Sequence, residues 1–106
     1  MNFEEIFWHD GIFSGLSIRE NGETLIDCEV FPSLQSKQRE RIRIILTGVS
    51  ELSCTLDLAS LLDNRNAGNI ATGRVYVKNK KTFIMRLILS DGYLDIKASQ
   101  LIIHRT

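Results

Sequence analysis

Trp8-His9-Asp10-Gly11 is the tetrapeptide best equipped for chemistry, because an imidazole beside a carboxylate supplies an acid/base pair or two metal ligands. Neighbouring residues of an extended segment point to opposite sides, so His9 and Asp10 converge only if the strand breaks there. The other histidine is His104, far along the chain. His9, Asp10 and His104 together form an alternative polar site, a small hydrolase or metal-binding centre that needs all three groups in one pocket. A metal-dependent phosphohydrolase would require more His and Asp ligands than this. The competing structural reading has Trp8 on the core and His9-Asp10-Gly11 shaping the start of the first strand.

Other nucleophiles lack their surroundings. Ser14 and Ser17 stand outside any G-x-S-x-G elbow, and Cys54 sits in an alternating apolar run with no adjacent cation to lower its pKa. Neither a C-x-x-C pair nor a phosphate-cradling glycine loop is present. The sequence therefore assigns no catalytic residue, metal or cofactor. Cys28 and Cys54 both fall on the apolar side of proposed strands and are expected to be buried and unbridged.

Charge is more informative in its distribution than in its total, which is zero. Residues 1–36 carry a net −6, with Arg19 as their single cation, whereas residues 37–43 carry +3 and residues 74–86 carry +5. Glu20, Glu23, Asp27 and Glu29 form an acidic hairpin suited to fast, salt-sensitive capture of a basic protein. The competing reading sets Asp27 and Glu29 opposite Arg41 and Arg43 on the next strand. Lys78, Lys80 and Lys81, with Tyr76 and Phe83 nearby, would in a third reading hold nucleic acid, with rings stacked on bases. Zero net charge and the lack of an RNP-like motif disfavour that reading.

These groups ride on a strand-rich chain of 106 residues, the length of one domain spanning 1–106. Ile12, Leu16 and Ile18, then Asn21-Gly22, then Ile26, Cys28 and Val30 spell a β-hairpin. Ile42, Ile44 and Leu46 alternate with Arg41 and Arg43, Gly48 marks a bulge or turn, and Leu52, Cys54 and Leu56 resume the pattern. The last third reads as a meander with turns at Asn79-Lys80 and Asp91-Gly92. Phe3, Ile6 and Phe7 have helical spacing, with a short strand as the competing assignment, and Leu58, Leu61 and Leu62 predict a second short helix capped by Asp57. The expectation is an α+β fold, predominantly antiparallel β, with six or seven strands in hairpins and a meander and one or two short helices.

Ile84, Ile88, Ile102 and Phe13 supply apolar residues on a second face of the sheet, from which a homodimer is expected. The apolar stretches fall well short of the roughly 20 residues of a membrane-spanning helix. The opening residues lack a basic, apolar and small-residue succession of the kind that marks export, so a cytoplasmic location is expected.

Phe7-Trp8-His9-Asp10-Gly11 leading into the first strand, the acidic hairpin, and Leu46-Thr47-Gly48-Val49 before Leu52 form a pattern that covers most of the chain. The chain resembles short bacterial β-rich proteins, some of which are grouped as immunity proteins of polymorphic toxin systems. That resemblance implies a non-enzymatic, cytoplasmic binding protein with a toxin domain as partner, and it carries over no catalytic residues.

Overall fold

The computed structural model describes residues 3–57 and 68–106. Period-two alternation of apolar residues builds six strands: β1 (Phe7–Ile18), β2 (Thr24–Phe31), β3 (Glu40–Leu56), β4 (Ile70–Lys78), β5 (Thr82–Leu89) and β6 (Gly92–Arg105). They form one antiparallel sheet in the order β1-β2-β3-β6-β5-β4. The N-terminal hairpin continues into β3, the C-terminal meander is joined to it through β6, and β3 and β6 are the two long central strands. The sheet curls until β1 approaches β4, where Ile12 bridges Asn69.

Cross-strand register stacks the inward residues into rows that run around the curl. Leu16, Ile26, Ile44 and Ile103 make one row, and Leu52, Ile96, Met85 and Val75 another. Ile26, Ile44, Met85 and Ile96 in these rows are essentially inaccessible to solvent. Each fully buried aliphatic side chain contributes about 1.5–3 kcal/mol relative to its exposed state, so these rows are the main source of stability.

Two sequence expectations are corrected. The N-terminal segment is a turn at residues 3–5 followed by β1, not a helix. Ile6 and Trp8 are buried while Phe7 between them is exposed, and Phe3 meets the ring of Phe83 edge-on at 6.1 Å, so alternate burial overrides the helical spacing. The helix expected around Leu58, Leu61 and Leu62 lies outside the described residues. Among the described residues the fold is nearly all antiparallel β, and the α+β assignment is replaced by that description.

The second correction concerns Cys54. Cys28 is buried but Cys54 is exposed, and both thiols are free. Cys54 does share an inward row with Leu94 and Leu87, so it has the parity of a core residue. However, β2 pairs with β3 only as far as Leu46, and beyond it, among the described residues, β3 is flanked by β6 alone. A side chain at the rim of a sheet lacks neighbours on one side and stays wet.

Gly48 allows β3 to run as a single strand across this change. Its φ is +65°, and a Cβ at this position would run into the hydroxyl of Ser99 on β6. The register then slips by one residue between Val49 and Glu51, a bulge that bends the strand.

Among the described residues no helix is long and apolar enough to cross a membrane.

Candidate functional site

The His9-Asp10 segment is a large bulge in β1. Phe7 pairs with Phe31 and Ile12 with Glu29, so β1 uses more residues than β2 over the same span. Asp10 adopts φ 65°, in the left-handed region, which breaks the extended chain. The break turns both side chains to the same side, with His9 Nε2 3.6 Å from Asp10 Oδ1. The break is the condition under which the two side chains converge.

The bulge has structural duties on every side. His9 Nδ1 lies 2.8 Å from the carbonyl oxygen of Ala71 on β4, and because a carbonyl only accepts, Nδ1 carries the hydrogen. Arg39 Nε donates to the Asp10 carbonyl at 2.8 Å, and its guanidinium lies 5.2 Å from the centre of the Phe31 ring. Trp8, next to them, is buried. His104 is elsewhere: it is on β6 opposite Arg43, with β3 and β2 between it and β1. The fold therefore does not bring His9, Asp10 and His104 together. Among the described residues no group of three His, Cys, Asp or Glu side chains is arranged to hold a metal.

The acidic hairpin is largely neutralised within the chain. Arg43 grips Asp27 with both arms, Nε to Oδ1 at 2.8 Å and Nη2 to Oδ2 at 3.1 Å. The hydrogen bond from Arg43 holds the Asp27 carboxyl below its ordinary pKa, against a small opposing effect of desolvation. Arg41 Nε is 3.8 Å from Glu29 Oε1, and Arg19 Nη1 is 2.7 Å from Glu23 Oε1. Glu20, exposed in the β1–β2 turn, is the member of the set without an ion pair among the described residues. A polar cleft of about 330 Å³ follows this ladder, lined by Ser14, Asp27, Glu29, Arg41 and Arg43 among others, and its charges already satisfy one another.

The basic segment behaves differently. Lys78, Lys80 and Lys81 are exposed at the β4–β5 turn, and their side chains have no ion pair or hydrogen bond among the described residues. Asn79 and Lys80 have φ 58° and 62°, two left-handed residues in the three-residue turn between the paired Lys78 and Thr82. Asn suits the first of these positions and Gly the second, so Lys80 occupies a site where a side chain carries a steric cost.

The rings expected beside these lysines are engaged. Tyr76 lies under the Arg74 guanidinium, 4.4 Å from ring centre to Cζ. Phe83 points inward, half-buried against Phe3. Arg74 covers one face of Tyr76 and Phe83 is turned inward, which weakens the stacking half of the expected nucleic-acid site.

The apolar residues expected to form a second face divide between environments. Phe13 and Ile84 are buried, whereas Ile88 and Ile102 are about half exposed. Ile88 sits beside Tyr93 and Ile102 beside Ile45, at opposite ends of β6, roughly 30 Å apart at about 3.3 Å per residue. They do not make one patch.

No protein-family model matches the chain, and no curated protein or solved structure does either.

Proposed function

We propose that this is a non-enzymatic binding protein whose recognition element is the β4–β5 hairpin tip, and that its partner is a protein with an acidic surface. The observation that carries the reading is the contrast between two hairpins. Three carboxylates of the acidic one are held in arginine pairs, while three lysines of the basic one have no partner among the described residues. Unpaired charges set the field a partner meets first, and paired charges largely cancel beyond a Debye length of about 8 Å at physiological salt.

Lys80 strengthens the case. A lysine in a left-handed turn position costs stability that glycine would not, and such strain is kept where the side chain is needed. The engaged rings of Tyr76 and Phe83 favour a protein partner over bases. A bacterial, cytoplasmic, immunity-like role is compatible with this surface, with the sign of the partner reversed from that implied by Glu20, Glu23, Asp27 and Glu29. The toxin domain would then be acidic where it meets this hairpin.

The test uses two probes at equal charge, an oligoglutamate peptide and a single-stranded oligonucleotide, titrated against the protein and against Lys78→Glu/Lys80→Glu/Lys81→Glu. Salt-dependent binding of the peptide that the triple variant loses, and that Glu20→Lys leaves unchanged, supports the proposal. Tighter binding of the oligonucleotide would replace it with a nucleic-acid function. Equal binding by the triple variant would remove the hairpin from consideration.

A further inference from the structure

A free strand edge is defined by its hydrogen bonds before its side chains. From residue 48 to 56, β3 has β6 on one side and no strand on the other among the described residues. Alternate residues of an antiparallel strand turn their N–H and C=O groups to opposite sides, so every second residue of this stretch aims both groups away from β6. Ser50, Glu51, Ser53, Cys54 and Thr55 are exposed. The segment contains neither lysine nor proline, the usual devices that keep strand edges from pairing, and its bulge lies at the near end, before Glu51.

The groups that satisfy such an edge are those of another extended backbone. From the side chains we infer that the backbone is the same segment of a second copy, paired antiparallel about a two-fold axis at Ser53. Inward residues here are Leu52, Cys54 and Leu56, whose β6 partners are Ile96, Leu94 and Gly92, and outward residues are Glu51, Ser53 and Thr55. Antiparallel partners directly opposite one another share a face, so only registers that match inward with inward residues continue the core. Of the two-fold registers that meet that condition, those centred on Ser53 and on Cys54 pair the most residues of the regular stretch after the bulge.

Centring on Cys54 sets Leu52 against Leu56 of the second copy but sets each Cys54 against its own twin, with no aliphatic side chain directly opposite the thiol. Centring on Ser53 sets Leu52 against Cys54 and Glu51 against Thr55, with no like charges opposed. The second register covers the exposed Cys54 with an apolar neighbour and joins two six-stranded sheets into one continuous sheet. The Glu51–Lys97 ion pair, 3.4 Å long, lies on the outward side and persists in this arrangement.

This dimer is independent of the partner assigned to the lysine hairpin, which joins β4 to β5 and is separated from this edge by β6. It also differs from a dimer built on Ile84, Ile88, Ile102 and Phe13, because it uses a strand edge and not a sheet face.

Two measurements on the full chain decide it. Ser53→Lys and Ser53→Glu each place like charges opposite one another at the axis, so each variant alone sediments as a monomer at concentrations where the unaltered protein self-associates. Mixing them restores the dimer, because the axis then carries opposite charges. In a Cys54→Ser background, Ser53→Cys forms a covalent dimer under mild oxidation, since residues facing each other across a two-fold axis have Cα atoms about 4.5–5.5 Å apart, within disulfide reach. Thr55→Cys in the same background, whose opposite residue is Glu51, does so at least tenfold more slowly. A monomer at every concentration, a mixture no more associated than its components, or equal cross-linking at 53 and 55 would each overturn the inference.

Discussion

The indole of Trp8 occupies the space that Gly73 leaves open on the opposite side of the seam. A Cβ added at Gly73 would stand 2.7 Å from Trp8 Cγ and 2.8 Å from Leu87 Cδ2. The curl of the sheet depends on this fit, because β1 and β4 are its two edge strands and the buried Trp8 packs between them. Gly73→Ala should therefore cost about 1–3 kcal/mol by overpacking, and Trp8→Ala about 3–5 kcal/mol by leaving a cavity. The double variant should cost less than the sum, since without the indole the clash with Cγ is gone and the remaining close neighbours, the Cβ of residue 8 and Leu87 Cδ2, can shift into the vacated space. Urea denaturation of all three checks this, and additive losses would mean the two residues do not share one space.

Acid should weaken the protein partly through Asp27. Its folded-state pKa lies below the ordinary 3.8, with the hydrogen bond from Arg43 as the main cause. A depressed carboxylate contributes stability that is present above the unfolded-state pKa and is lost as pH falls through the folded one. Denaturation midpoints of Asp27→Asn should be lower than those of the unaltered protein at neutral pH. The two should converge below pH about 4, where the unfolded carboxylate takes up its proton. A difference that stays constant with pH would show that the carboxylate is not the titrating partner.

The two thiols should react in opposite ways. Burial, with a smaller effect of the Asp27 charge, pushes the Cys28 pKa up to about 12, and the side chain is enclosed. Cys54 is exposed at the rim of the sheet. Thiol titration at neutral pH should find one reactive group in the native protein and two in denaturant, with Cys54→Ser abolishing the native signal. Rapid native reaction of Cys28 would mean that the β2–β3 pairing around it opens readily.

The sequence disclosed what is local and periodic. The Asn21-Gly22 turn with a strand on either side, and the meander turns at Asn79 and Asp91, follow from alternation and turn chemistry. The pairing of Asp27 and Glu29 with arginines could be written down as a competing reading because β2 and β3 are consecutive. What escaped depends on how far each strand extends. Cys54 has the parity of a core residue and is exposed because β2 stops at Leu46. Trp8 and Gly73 meet through curling of the sheet, and nothing near either residue in the sequence announces the other. His9 and Asp10 converge through a left-handed Asp10, a conformation that a polar residue within an otherwise regular strand does not betray.

Lys80 offers a way to separate shape from charge at the proposed binding tip. Its φ of 62° is one that glycine adopts without a Cβ penalty, and the preceding Asn79 already suits its own position in the turn. Lys80→Gly should raise stability by up to about 1 kcal/mol, because relief of the left-handed strain outweighs the greater freedom glycine gives the unfolded chain. The same change removes one of the hairpin's three unpaired lysines, so binding of an acidic peptide should weaken and its salt dependence should flatten. Lys80→Asn removes the charge while keeping a residue that tolerates the left-handed region, and it should match the glycine variant in binding. Thermal denaturation and peptide titration of both variants give the answer. A gain in stability with unchanged binding would show that Lys80 serves only to keep the hairpin tip solvated and its edge unpaired.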